Sequence, residues 1–189
     1  LNHCSVIRDT GRYDNALFDI RQGKLRIFST QLTGIPANDW NMQFRSAAYT
    51  SCLFRVGKNG ALHLTNISGA TPYQGMAYGQ PMIISEGDLQ IDGGHYRNMI
   101  DTFSPDKETR GAAILIDGGT AVINGGKYEG TACGVAVRND AQLTVNHGYI
   151  GGWDTGLYLG GSANAVINDG EFDRYETTSS SSKSQNCAV

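Results

Sequence analysis

The chain of 189 residues contains 25 glycines but only 4 prolines, and its net charge is −3. β-Branched residues stand between the glycines, which predicts many short strands and tight turns rather than a low-complexity segment. The mild negative charge argues against a nucleic-acid partner, and no apolar run approaches the roughly 20 residues that a membrane-spanning helix needs.

Pairs of short strands separated by a turn recur along the chain from Asn15 onward. The second strand of each pair aligns on one residue, and the six resulting anchors are Leu25, Leu62, Leu89, Ala121, Leu143 and Ala165. No window has the i, i+3, i+4, i+7 spacing of an amphipathic helix, so we predict an all-β chain.

Residues 112–173 repeat one chemistry at fixed positions every 22 residues, which is typical of a solenoid. Successive positions hold an aliphatic residue (Ile123, Val145, Ile167), an asparagine (Asn124, Asn146, Asn168), a glycine (Gly126, Gly148, Gly170) and a bulky apolar residue (Tyr128, Ile150, Phe172). Stacked parallel strands would place equivalent residues about 4.8 Å apart. The asparagines are then expected to hydrogen-bond one another at a turn, beside glycines that permit a positive φ.

The earlier coils are longer than the bare repeat, and we assign the excess to three insertions at 31–50, 68–80 and 98–111. Each follows the second strand of a pair and ends before the next first strand. All three are therefore expected to project from one edge of the rod, the face that often binds in solenoids.

The domain prediction is a single solenoid over residues 1–173, in which insertion-bearing coils at 15–111 precede regular coils at 112–173. Residues 174–189 lose the repeat and contain a run of serines. We expect a polar tail or linker there.

The lines GGTAVINGGKYEG, AQLTVNHGYIGG and GDLQIDGGHYRN resemble coils of the right-handed parallel β-helix proteins, the pectate-lyase-like superfamily. They are especially similar to coils of bacterial surface proteins and adhesins and of phage tailspikes. The resemblance spans residues 15–173 and implies a right-handed parallel β-helix of about six coils. Tailspikes of this fold are trimers, so a homotrimer is one assembly that the resemblance implies. The superfamily includes polysaccharide lyases, hydrolases and epimerases as well as adhesive rods.

Acidic residues are the candidates for catalysis, because glycoside hydrolases use carboxylates about 5–9 Å apart. One group lies in the third insertion, and the other alternates along a strand and can share one face; the two groups are Asp101, Asp106 and Glu108, and Asp169, Glu171 and Asp173. The alternative is that these acids are simply solvated. Arg138, near Asp117 and Asp140 in the aligned coils, is a hint of lyase chemistry.

No cofactor or metal is predicted. Calcium, which a lyase of this fold would use, lacks the supporting column of acids on adjacent coils. The four cysteines are far apart and form no CxxC pair, which argues against zinc and favours buried thiols over disulfides; they are Cys4, Cys52, Cys133 and Cys187.

Aromatic residues on the predicted edge are candidates for ligand binding, because exposed rings stack on sugars or on a partner's apolar surface. They are Trp40, Tyr49, Tyr73 and Tyr78 in the insertions, Trp153 at the equivalent position of a regular coil, and Tyr158 on the outward side of a strand. The alternative is that these rings form a local core over the open side of the coils. Leu115, Ala136 and Tyr158 would form an outward apolar stripe.

Together these features predict a non-catalytic extracellular module that binds carbohydrate or a protein receptor, as part of an adhesin-like surface or secreted protein. A polysaccharide lyase or glycoside hydrolase, such as a phage tailspike, is the alternative enzyme interpretation. A purely structural rod is the third.

Overall fold

The computed structural model describes residues 4–8, 16, 18–28, 42–46, 52–70, 81–98, 109 and 111–175. These residues form fourteen strands of one sheet and no helix. The strands are β1 Cys4–Arg8, β2 Phe18–Phe28, β3 Met42–Ser46, β4 Phe54–Ala70, β5 Ile83–Ser85, β6 Asp88–Asn98, β7 Ile114–Ile116, β8 Thr120–Gly130, β9 Cys133–Val137, β10 Gln142–Val145, β11 Tyr149–Gly152, β12 Thr155–Leu159, β13 Asn164–Ile167 and β14 Glu171–Arg174. Within these ranges nothing has the length and apolarity of a bilayer-spanning helix.

Parallel pairing between successive repeats holds the strands together. The six anchor residues pair consecutively, from Leu25 with Leu62 through to Leu143 with Ala165. The sequence alignment of the repeats is therefore confirmed, and the architecture is that of a parallel β solenoid.

The longer strands bend at corners, so the paired segments form three stacks. The first stack is β2, β4, β5, β7, β9 and β12. The second continues through β2, β4, β6, β8, β10 and β13. The third is β1, β3, β4, β6, β8, β11 and β14. We call the three strand segments at one position along the stacks a level.

One apolar core lies between the three stacks. It receives Val56 and Ile114 from the first stack, Leu143 from the second, and Tyr96 and Ile150 from the third, and each is at most 2% exposed. Alternate residues of each strand face this core, because successive side chains of a strand point to opposite sides.

Strands occupy part of each predicted insertion, so those boundaries are wrong. β3 lies within 31–50, β4 extends to Ala70, and β6 ends at Asn98. The third-stack segment of β6 contributes the single apolar side chain Tyr96 to the core, so its period-two signal is too short to recognise.

What remains of the predicted insertions, 31–41, 47–50, 71–80, 99–108 and 110, lies outside the described residues. Three of these segments are flanked by a third-stack strand and the next first-stack strand. The earliest is instead flanked by β2 and β3. The prediction that the insertions project from one edge falls on residues outside the described ones and stays a prediction.

Candidate functional site

Seven of the predicted site residues lie outside the described residues: Trp40, Tyr49, Tyr73, Tyr78, Asp101, Asp106 and Glu108. Their roles stay predictions. The remaining five, Asp169, Glu171, Asp173, Trp153 and Tyr158, lie in two different parts of the fold.

Glu171 and Asp173 share the outward side of β14, because the intervening Phe172 packs against the core. Asp169 is not part of that face. It lies in the preceding turn, 2.9 Å from His147 Nδ1, and accepts a hydrogen bond from the Gly170 amide at 2.8 Å. The contact with His147 holds the pKa of Asp169 below its ordinary value.

Tyr158 lies on the outward side of the first stack. It packs against a second, smaller apolar cluster that includes Leu115, Cys133 and Ala136. The predicted outward stripe therefore exists, with Leu115 and Ala136 buried and Tyr158 half-buried. This packing favours the local-core alternative for Tyr158 over a ligand contact.

The outward side of the third stack carries a connected group of polar side chains. Its side chains stand in two columns that run from β6 to β14, and we call this surface the third-stack face. One column is His95, Lys127, Tyr149 and Glu171, and the other is Arg97, Glu129, Gly151 and Asp173. These residues face outward because the intervening Tyr96, Tyr128, Ile150 and Phe172 pack in the core.

Glu129 is the centre of the third-stack face, with a side chain only 11% exposed. His95 Nε2 contacts Oε2, Lys127 Nζ lies 3.0 Å from Oε1, and the Tyr175 hydroxyl donates to Oε1 at 2.9 Å. Burial opposes ionisation of Glu129, but these hydrogen bonds outweigh it and hold the pKa below its ordinary value. Glu129 is therefore an ionised acceptor at neutral pH.

Gly151 leaves an opening between Glu129 and Asp173 that two tyrosine hydroxyls enter. A Cβ atom at Gly151 would lie 2.8 Å from Tyr175 Oη and 2.9 Å from Tyr149 Oη. The Tyr149 hydroxyl donates to Asp173 Oδ2 at 3.1 Å. Two donors and two carboxylates thus meet at one point, which we call the Gly151 niche.

Both hydroxyls of the niche stay protonated at neutral pH. Burial, together with the neighbouring Asp173 and Glu129 carboxylates, raises the pKa of Tyr149. Burial, a hydrogen bond with Tyr149 and the Glu129 carboxylate raise the pKa of Tyr175. Lys127 Nζ lies 4.9 Å from the centre of the Tyr149 ring, a cation–π contact between neighbouring levels of one column.

Trp153 follows β11 directly, at the corner between the third and first stacks. Its amide donates to the Thr131 carbonyl at 2.9 Å, and its carbonyl accepts from Arg174 Nε at 3.3 Å. The backbone of this half-buried residue is therefore fixed beside the third-stack face. Trp153 is the described aromatic candidate that adjoins the site.

The predicted asparagine stack is confirmed at the corner between the second and third stacks. Asn168 donates to Asn146 at 2.7 Å, Asn146 to Asn124 at 2.7 Å, and Asn124 to Asp92 at 2.6 Å. We call these four residues the asparagine ladder. Burial opposes the charge of Asp92, but hydrogen bonds from Asn124, His63 and Gln90 hold its pKa below the ordinary value.

Arg138 forms a two-bond pair with Asp117, at 2.6 Å from Nε and 3.0 Å from Nη2. Asn139 donates to the same carboxylate at 2.6 Å. The guanidinium and the carboxylate thus form an ion pair that joins two adjacent levels. This pairing indicates a structural role.

Within the described ranges, no three His, Cys, Asp or Glu side chains converge closely enough to hold a metal ion. Cys52 and Cys133 are buried and form no disulfide, which agrees with the prediction of buried thiols. Burial raises the pKa of Cys52.

Sequence reasoning missed the centre of the site, which comprises His95, Lys127, Glu129, Tyr149 and Tyr175. The available signal was the polar residue on each side of Tyr96, Tyr128 and Phe172, which the repeat places on one outward face. No protein-family model, curated protein or solved structure matches the chain.

Proposed function

We propose that the chain is a right-handed parallel β-helix module of six coils that binds carbohydrate through the third-stack face without cleaving it. The meeting of two tyrosine hydroxyls and two carboxylates at the Gly151 niche carries the proposal. Sugar hydroxyls both donate and accept hydrogen bonds, so ionised carboxylates and phenols at one point offer them both kinds of partner. The 22-residue pairing register supports the β-helix assignment.

Binding without cleavage fits the state of Glu129. A glycoside hydrolase needs one carboxyl that stays protonated to act as the general acid, which requires a raised pKa. The pKa of Glu129 is shifted in the opposite direction, and its carboxylate is engaged by three side chains. These contacts suit an acceptor that holds its neighbours in place.

A glycoside hydrolase is the second candidate, favoured by the positions of Glu129 and Asp173. Both belong to one column, with Gly151 between them. Two level spacings separate their backbones by about 9.6 Å, near the upper end of the carboxylate spacing in inverting enzymes. In that mechanism Asp173 would be the acid and Glu129 the base that activates water.

The expected setting is outside the cell, as part of an adhesin-like surface or secreted protein. This extends the resemblance of the coils to those of adhesins. Detection of the protein on intact cells of its source by labelled antibody, with loss of signal after surface proteolysis, tests it; retention inside the cells would contradict it.

A glycan array followed by calorimetric titration of the bound glycans tests the function. Replacing Tyr149 and Tyr175 together by Phe removes only the two hydroxyls, and we expect affinity to fall about tenfold or more because two hydrogen bonds are lost. Tyr158→Phe, on the outward side of the first stack, is the matched control and should bind as the unchanged protein does.

The two candidate functions separate in an assay for new reducing ends or unsaturated products. Unchanged glycan after prolonged incubation supports binding alone. Turnover that disappears in Glu129→Gln would replace the binding proposal by the hydrolase. Failure to bind any glycan, or equal affinity of the double Tyr variant, would refute the site.

A further inference from the structure

The third-stack face carries opposite charges at its two ends. His95, Arg97 and Lys127 lie on β6 and β8, with side chains 27%, 54% and 46% exposed. Glu171 and Asp173 lie on β14, at the other end. Charge therefore changes sign along the stack axis.

The carboxylate of Glu129 does not cancel the cationic end. Its side chain is 11% exposed, and it contacts His95 and Lys127 directly. Arg97 Nε lies 4.0 Å from Glu129 Oε2, beyond hydrogen-bond distance, and its own side chain is more exposed than that of Lys127. Arg97 thus offers a cation to the solvent side of the face.

The acidic end likewise keeps its charge. Glu171 is exposed, and Asp173 accepts a hydrogen bond from the Tyr149 hydroxyl, a donor that carries no charge. Arg174 is the neighbouring cation, and its Nε donates to the Trp153 carbonyl at the corner. The turn before β14 adds Asp169 to this end, with a side chain 71% exposed.

The distance between the ends suits a short oligosaccharide. His95 and Glu171 are three levels apart in one column, which corresponds to about 14 Å along the axis. The Gly151 niche and the Tyr149 ring lie between them. A sugar chain laid along the column would therefore meet cations first, then hydroxyls and a ring, then carboxylates.

We infer that the third-stack face selects a glycan that carries both an anionic group and an amine. The carboxylate or sulfate of one sugar pairs with Arg97 and Lys127, and the amine of another pairs with Glu171 and Asp173. The two ends then fix the direction of the chain along the stack axis. This inference rests on the proposed carbohydrate binding and names the class of carbohydrate.

Four tetrasaccharides of matched length separate charge from sugar recognition in calorimetric titrations. They are de-N-acetylated heparosan, with alternating amines and carboxylates, chitosan, with amines only, oligogalacturonate, with carboxylates only, and neutral cellotetraose. We expect the first to bind about fivefold tighter than either singly charged probe, the scale of one or two exposed ion pairs. Its affinity should fall as NaCl rises from about 50 to about 500 mM, because exposed charges are screened.

Substitutions that reverse the charge at each end of the third-stack face test the proposed direction of the glycan chain. Arg97→Glu should weaken the doubly charged probe and oligogalacturonate about fivefold or more and leave chitosan unweakened, while Glu171→Lys should do the converse. Lys24→Glu and Glu86→Lys alter exposed charges away from the third-stack face and serve as matched controls that should bind all probes normally.

Each outcome decides between the inference and the function on which it rests. Equal affinity for cellotetraose and the charged probes overturns the charge selection and leaves the carbohydrate site standing. Equal affinity for a Lys–Glu tetrapeptide overturns selection of a glycan. Binding of no sugar by the array or by titration rejects the proposed function itself.

Discussion

The asparagine ladder and the third-stack face are built on the same repeat, yet they use it in opposite ways. The ladder places the same amide at successive levels and ends on the carboxylate of Asp92. The face changes its residue at every level, from Arg97 through Glu129 and Gly151 to Asp173. Uniformity lets the side chains hydrogen-bond one another from level to level, whereas variation brings different donors, acceptors and charges together at one place. The departures from the repeat therefore mark the site.

The inward side of the strands should dominate stability, and Leu143→Ala is the largest expected effect. Leu143 is 2% exposed and pairs with Ala121 and Ala165, which are too small to fill the vacated space. We expect a loss of about 3 kcal/mol in the free energy of unfolding, measured by urea denaturation. Gln142→Ala, at the exposed neighbouring position, is the control. A loss below about 1 kcal/mol would contradict the proposed core.

Gly151→Ala should break the third-stack face while leaving the ladder intact. The new methyl group would meet both tyrosine hydroxyls and force them from Glu129 and Asp173. We expect a stability loss of about 2 kcal/mol by thermal unfolding together with loss of glycan binding. Gly125→Ala is the matched control, since the nearest neighbour of its Cβ lies 4.0 Å away. Unchanged binding in Gly151→Ala would remove the niche from the site.

Acid should weaken both regions through their carboxylates. The pKa values of Asp92 and Glu129 are held below their ordinary values in the folded chain, so the unfolded chain takes up protons first as pH falls. Stability from these groups is present above the ordinary pKa values of Asp and Glu, about 4, and is lost as pH falls through their lower folded pKa values. Urea midpoints of the unchanged protein should therefore drop over this interval.

Substitution assigns this acid sensitivity to its source. Glu129→Gln and Asp92→Asn should each flatten the loss of stability between about pH 5 and about pH 3, because neither amide titrates. Glu86→Gln, in an exposed turn, should leave the profile as it is. A profile unchanged by both amide variants would show that the hydrogen bonds to these carboxylates contribute nothing.

The regular repeat made the scaffold predictable from the sequence. The site could not be predicted in the same way, because its residues depart from the repeat. Fixed spacing identified the paired anchors from Leu25 to Ala165 and the asparagine ladder, because parallel stacking places equivalent residues together. Glu129 carries no such signal, since its column holds Arg97, Gly151 and Asp173. Its partner Tyr175 follows the last strand, where the repeat no longer constrains the sequence. Contacts between the two columns depend on the length and conformation of the side chains, which cannot be read from the spacing of residues in the sequence.

The smallest expected effect compares two rings that the repeat makes equivalent. Tyr96 and Tyr128 stack with centroids 5.4 Å apart in the core, but only the Tyr128 hydroxyl has a protein partner, the Gly125 carbonyl at 2.7 Å. An unpaired buried hydroxyl is costly, so Tyr96→Phe should leave stability unchanged or raise it by up to about 1 kcal/mol. Tyr128→Phe loses a hydrogen bond and should lower it by about 1 kcal/mol, measured by urea denaturation. Equal losses in both variants would mean that Tyr96 has a partner, such as a buried water, and that the two levels are equivalent here as well.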